Sequence, residues 1–297
     1  MELGLVGLGR MGGNMAVRLA RAGHRVVGFD PAEPARQAAA AQGIAAVASL
    51  SDLVSALAPP RTVWLMVPAG PPTERTVEEL AGRLAPGDLI VDGANTHYRD
   101  DLRRAPALAA RGLGYVDAGV SGGIWGLAEG YCLMVGGERD AVERLRPVLD
   151  ALAPPEGWRH VGPVGSGHFV KMVHNGIEYG LMQAYAEGFE LLASAEFDLD
   201  LAAIARLWTR GSVVRSWLLE LTADVLAADP TLAGLRGWVE DSGEGRWTVE
   251  AAVERGVPLP VITAALYARF RSRRDNAFAD RLLAALRRAF GGHAVRR

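Results

Sequence analysis

The sequence predicts an α/β fold, with a Rossmann-like, mostly parallel sheet domain over residues 1–164 and an all-helical domain over 165–297. Three observations carry this. Strand-length apolar runs alternate with helical stretches as far as about residue 164, the pattern of a parallel sheet covered by helices. The first run leads directly into Gly7-Leu-Gly9-Arg10-Met11-Gly12 and a helix. Beyond Gly165 the periodicity becomes that of long helices. A chain of 297 residues also exceeds a typical single core, so two domains are expected.

Strands are predicted at 2–6, 25–29, 62–67, 89–91, 114–116 and 132–135, and helices at 11–22, 33–41, 73–84, 100–111, 140–149 and 167–194. The glycine turn after the first strand has a physical reason. A side chain at Gly7 or Gly9 would block the turn or the approach of a pyrophosphate to backbone N–H groups. Gly12 permits close helix–strand packing, and the helix amino terminus favours an anion. The second strand ends at Asp30, placed to accept hydrogen bonds from ribose hydroxyls and to repel a 2′-phosphate, which predicts NAD over NADP. Three further loops follow strand ends on the same edge: Met66-Val67-Pro-Ala-Gly, Asp92-Gly-Ala-Asn95-Thr96 and Val120-Ser121-Gly122-Gly123. Asn95 and Ser121 offer hydrogen-bonding side chains there, and the two glycines expose backbone N–H groups.

Lys171 is the only lysine in the chain, against 31 arginines. Arg stays protonated at any workable pH, whereas a desolvated Lys can lose its proton. On the predicted 167–194 helix, Lys171, His174, Asn175 and Glu178 fall at i, i+3, i+4 and i+7, on one face. Phe169, Val170, Met172, Val173 and Ile177 make the rest of the circumference apolar, so this helix is expected to be buried, with the ionisable face marking function.

Composition narrows the class. With 49% hydrophobic and 22% charged residues the chain reads as an ordinary soluble protein. Its apolar runs are too short to span a bilayer, and Met1-Glu2 lead straight into a strand with no export signal, so a cytoplasmic protein without membrane contact is expected. Cys132, the single cysteine, is expected to be a small buried hydrophobe. Net charge is −2, yet nine Arg stand against Asp275 and Asp280 from residue 269 onward. That basic tail holds few aromatics and no nucleic-acid motif, so no nucleic-acid partner is expected.

Gly-Leu-Gly-Arg-Met-Gly-Gly-Asn-Met, Asp-Gly-Ala-Asn-Thr, Val-Ser-Gly-Gly and His-Phe-Val-Lys-Met-Val-His-Asn-Gly-Ile-Glu-Tyr-Gly together resemble decarboxylating 6-phosphogluconate dehydrogenase, in its short, NAD-preferring branch. The last element is highly specific and the first is generic. The resemblance implies that Lys171 is the proton acceptor, that Glu178 is the acid, and that NAD is bound by Gly7, Gly9, Arg10, Met11, Gly12, Asp30, Met66, Val67 and Asn95. It implies a sugar-acid site built from Asn95, Ser121, Gly122, Gly123, His174 and Asn175, and a phosphate site built from Tyr179, Arg246, Thr248 and Arg269. Arg287 and His293 match tail positions that reach a neighbouring subunit in a homo-oligomer. No metal is implied. An unperturbed Lys titrates near ~10.4, so base catalysis requires the site to lower that value. Two departures from the long members stand out: Ile124-Trp125 where they are acidic, and Arg246 where they carry Lys.

Other functions remain open at this point. A non-decarboxylating 3-hydroxyacid dehydrogenase shares the turn, the Ser-Gly-Gly loop and the Lys, but has no need of the His174, Glu178 and Tyr179 set or the phosphate-binding arginines. A regulatory protein that senses NAD without turnover would bind NADH yet oxidise none of a panel of sugar acids. The Trp residues at 208, 217, 238 and 247 are expected in the core or in a subunit interface.

Overall fold

Near-continuous apolar runs such as Leu3–Val6, Val63–Leu65 and Leu89–Val91 are buried along their length, as strands covered on both faces must be. In the computed structural model, which describes residues 1–291 and Ala294, they form one eight-stranded sheet. Along the chain it is built from β1 (Glu2–Val6), α1 (Arg10–Arg21), β2 (Arg25–Phe29), α2 (Glu33–Ala41), β3 (Ala45–Val47), α3 (Leu50–Ser55), β4 (Thr62–Leu65), α4 (Pro71–Ala81), β5 (Leu89–Asp92), α5 (Tyr98–Ala109), β6 (Gly114–Ser121), α6 (Gly126–Glu129), β7 (Cys132–Gly137), α7 (Arg139–Leu152) and β8 (Trp158–Gly162). A 3₁₀ turn at Gly123–Trp125 precedes α6. The strand order is β3-β2-β1-β4-β5-β6-β7-β8. All neighbours are parallel except β6 and β7, which run antiparallel. The order reverses between β1 and β4, the switch point where sheets of this kind open a crevice at their carboxyl edge.

Leu3 and Leu5 pack with Met15 and Leu19 of α1 and Leu145 and Leu149 of α7 on one face of the sheet. Val6 and Leu65 pack with Leu53, Leu80 and Leu108 of α3, α4 and α5 on the other. The long helix α8 (Ser166–Ala193) follows, and the chain divides into two units between His174 and Asn175, inside it. The second unit adds α9 (Leu201–Trp208), α10 (Trp217–Ala228), α11 (Glu244–Arg255), α12 (Pro260–Ser272) and α13 (Phe278–Gly291).

Several expectations need correction. The short, alanine-rich β3 and the polar-alternating edge strand β8 carry too weak an apolar signal to be read from sequence. Helix α3 had a readable one, since Ser49 accepts a hydrogen bond from the Asp52 backbone N–H at 3.1 Å, the Ser-x-x-Asp start signal. β6 runs on to Ser121 because it pairs residue by residue with β7, so Val120 and Ser121 belong to the strand and not to a loop. Cys132 is exposed, at the first position of β7 opposite Ser121; the alternation that buries Leu133 turns its neighbour outward. Helix α8 is buried only in part. Lys171, Met172 and Tyr179 are covered, but Ile177 is 53% exposed and Leu181, Met182 and Leu191 also face outward, because its second half is packed in this chain along one side only. Of the tryptophans expected in the core or in a subunit interface, Trp208 joins the cluster of Phe189, Leu219 and Leu226, and Trp217 and Trp238 are exposed in this chain.

The start of α8 is held to the sheet at backbone distance. A Cβ at Gly119 would lie 2.4 Å from the Lys171 Cβ, one at Gly136 would lie 2.8 Å from the Gly167 nitrogen, and one at Gly167 would lie 2.5 Å from the Met134 carbonyl oxygen. The buried Asp117 of β6 accepts from Gly165 N–H at 2.7 Å and His168 N–H at 2.9 Å, satisfying amides that the helix start leaves unpaired. Asp117→Ala would strand both donors in the interior. It is expected to lower the unfolding free energy by about 3 kcal/mol, measured by urea denaturation.

Candidate active site

The glycine turn between β1 and α1 forms the floor of a cleft of about 830 Å³ lined by Gly7, Gly9, Met11, Asp30, Met66, Val67 and Asn95 among others. Gly7 has φ +96°, and a Cβ there would lie 2.3 Å from the Met66 carbonyl oxygen; one at Gly12 would lie 1.9 Å from the Gly7 carbonyl oxygen. Gly9 differs, since a Cβ on it would meet no atom within 4 Å and would project into open space. Gly9 is also the N-cap of α1 and offers no side-chain acceptor to the helix amides. A backbone cradle kept free of side chain and cap fits an anionic pyrophosphate. Arg10 is exposed on the first turn of α1.

Asp30 is anchored at the end of β2, where its two oxygens accept from the Leu8 and Ala32 N–H groups, each at 2.8 Å. Each oxygen keeps a lone pair for a ribose hydroxyl. Arg36, the first cation after Asp30, donates to the Asp30 and Pro31 carbonyls at 2.7 and 3.0 Å. The cleft also takes in Arg75, Thr76 and Glu79 of α4, which the sequence reading missed because nothing in a helical period marks the rim of a cleft.

Lys171 is 7% exposed, packed on Gly119 of β6. Its Nζ lies 3.4 Å from His174 Nδ1, and His174 Nε2 lies 3.5 Å from the Ser121 Oγ. The structure therefore brings Lys171, His174 and Ser121 together in the first unit. Gly122 and Gly123 follow with φ +134° and +52°, and a Cβ on Gly123 would meet nothing within 4 Å, leaving its backbone open to a ligand. Asn95 is exposed on the loop after β5. This arrangement couples an amine, an imidazole and a hydroxyl, the parts of a proton-transfer site.

In the second unit, Asn175 and Glu178 are half-buried on α8. The Arg269 guanidinium lies 3.5 Å from the Tyr179 ring centroid, and Arg269 donates to the Glu240 carbonyl at 2.9 Å. Tyr179 Oη lies 3.4 Å from Ser242 Oγ. Arg246 pairs with Asp241 and sits over Phe270 at 5.6 Å. Thr248 is buried, donating to the Glu244 carbonyl at 2.8 Å with its methyl towards Gly176, so its hydroxyl proton is already committed. Arg287 is exposed on α13; His293 lies outside the described residues.

The profile described as the NAD binding domain of 6-phosphogluconate dehydrogenase matches residues 2–165, and that of the 6-phosphogluconate dehydrogenase C-terminal domain matches 167–289. An NAD(+)-dependent, decarboxylating 6-phosphogluconate dehydrogenase of Haloferax volcanii is 47% identical, covering 100% of this chain and 99% of its own. The chain belongs to the 6-phosphogluconate dehydrogenase family. Among solved structures, the Plasmodium falciparum 6-phosphogluconate dehydrogenase, described with NADP+ and with 6-phosphogluconate, superposes with TM-score 0.85 at 28% identity, covering all of this chain and 66% of that longer one. A 3-hydroxyisobutyrate dehydrogenase from Salmonella typhimurium superposes with TM-score 0.76 at 26% identity over 90% of this chain and 92% of its own.

The family assignment makes the open position at Gly9 testable. Gly9→Ala is expected to leave the thermal midpoint within about 2 °C, because no protein atom is displaced. It is expected to weaken NAD(H) binding about tenfold, or about 1.4 kcal/mol, as read by NADH fluorescence titration.

Proposed function

We propose that the chain catalyses NAD-dependent oxidative decarboxylation of 6-phosphogluconate to ribulose 5-phosphate and carbon dioxide. The observation that carries this reading is the buried Lys171 beside His174 and Ser121, on a strand of the sheet whose carboxyl edge forms the dinucleotide cleft. NAD, when bound, accepts the hydride from C3 of the sugar acid. Neutral Lys171 takes the 3-hydroxyl proton. As an ammonium it then hydrogen-bonds the 3-keto oxygen, stabilising the charge that builds there as carbon dioxide leaves. His174 and Ser121 hold the hydroxyls beside it, with Asn95, Gly122, Gly123 and Asn175. Glu178, seven residues along α8 from Lys171, protonates C1 of the enediol.

The phosphate falls to the second unit, to Tyr179, Arg246, Thr248 and Arg269, whose planar guanidinium groups suit paired bonds to phosphate oxygens. Arg246 has to exchange its Asp241 partner, and Thr248 its Glu244 carbonyl, for the substrate. Exposed Trp217, Phe278, Leu282, Leu283 and Leu286 support a homo-oligomer in which Arg287 and His293 of the tail reach a neighbouring site. A cytoplasmic location is part of this proposal; among the described residues, no helix is long and apolar enough to cross a membrane.

Purified protein with NAD is expected to reduce it in the presence of 6-phosphogluconate and release one carbon dioxide per NADH, with gluconate a far poorer substrate. NADH formation without carbon dioxide would favour a non-decarboxylating 3-hydroxyacid dehydrogenase instead. Lys171→Arg is expected to lower kcat at least a thousandfold with NAD binding intact, because a guanidinium cannot act as the base. Glu178→Gln is expected to slow ribulose 5-phosphate release more than hydride transfer, as separated by single-turnover absorbance at 340 nm. A higher kcat/KM with NADP than with NAD would overturn the reading of Asp30.

A further inference from the structure

Beneath the site lies a chain of buried polar groups that the reaction does not use. Asp92, at the end of β5, accepts from Ala94 N–H at 3.0 Å, Thr96 Oγ1 at 2.8 Å and Arg104 Nη1 at 3.1 Å. Tyr115 of β6 donates to Asp101 of α5 at 2.8 Å and sits 3.2 Å from Asp92. The other Asp101 oxygen lies 2.7 Å from His168 Nδ1. These side chains are almost entirely inaccessible. Asp92, Asp101 and His168 bring possible ligand atoms within 4.8 Å of one another, but the buried Arg104 already supplies the positive charge a cation would bring.

Buried ion pairs rarely stabilise more than well-packed apolar groups of the same volume, so stability does not account for this one. Its two ends do. One end, Asp92, ties down the loop that carries Asn95. The other, His168, stands three residues before Lys171, on the same face of α8. We propose that the Asp101–His168 pair is a positioning element that fixes the first turn of α8 and the Asn95 loop in register, and so sets the placement of the Lys171 amine. Neither residue touches substrate. The inference rests on the reading of Lys171 as proton acceptor.

Burial lifts the Asp101 carboxyl to about 6. Burial opposes the His168 imidazolium, yet Asp101, with Asp92 and Asp117, lifts it to about 9. The groups acting on His168 are Asp101 from α5, Asp92 from β5 and Asp117 from β6, with Arg104 and Tyr115 bonded to those same carboxylates of Asp92 and Asp101. The charged pair therefore exists between about pH 6 and 9 and is lost as pH rises through the upper value.

The test uses the full-length enzyme, with His168→Asn, which keeps an N–H near the Nδ1 position, and Asp101→Asn, which keeps an acceptor without its charge. Both are expected to bind NAD within twofold of the parent and to change KM for 6-phosphogluconate less than threefold, while kcat falls at least tenfold. The parent kcat is expected to decline above about pH 9. In both variants that decline is expected to disappear, because neither keeps a charged pair to lose. A merely structural pair would lower the melting temperature without moving kcat or its pH profile. Either folded variant with kcat within twofold of the parent and an unchanged profile would overturn the proposal. Failure of both to fold would assign the pair to the fold alone and overturn it equally. The Lys171→Arg assay reports separately on the proton-acceptor reading.

Discussion

The contact on which the rest depends is the backbone-distance approach of α8 to strands β6 and β7. Only glycine at 119, 136 and 167 permits it, and Asp117 makes it tolerable by accepting the N–H groups of Gly165 and His168. The consequence is chemical. A helix standing one side chain further off would leave room for water around the Lys171 amine, which is buried here. Here it lies against the sheet, beside the carboxyl edge where the dinucleotide cleft opens.

The same approach explains the buried charge. Asp92, Asp101 and Asp117 bury three carboxylates against two cations, Arg104 and His168. The remaining negative charge lies at the amino terminus of α8, where the helix dipole is positive and Asp117 caps it. Charge, cap and glycine contacts thus act on one short stretch, residues 165–171. That stretch connects a rigid sheet, which holds the cofactor, to a helix whose later turns carry Asn175, Glu178 and Tyr179.

Much of this was legible in the chain. The glycine turn, Asp30 and the strands that alternate with helices follow from hydrophobic period and from residues with special backbone needs, both local properties. The Lys171–His174–Asn175–Glu178 spacing was legible for the same reason, since a helix converts spacing into a face. The failures were equally local in origin. β3 and β8 are short edge strands with little apolar content, and Cys132 was judged by its neighbours instead of by the alternation that turns it outward. Val170 and Ile177 looked like core because an apolar circumference does not reveal which side is packed.

The sequence by itself determined the sheet-then-helix order, the dinucleotide turn, the acid at the end of the second strand, and the set of groups on one helix face. The tertiary structure decided that Gly119 of a distant strand seats Lys171, that Ser121 meets His174, that Asp117 caps a helix 48 residues away, and that Asp101 and His168 pair across 67. The reason is that periodicity encodes only neighbours within a few residues. A carboxylate on one element acquires its partner on another only when the sheet has closed and excluded the water that would otherwise solvate both.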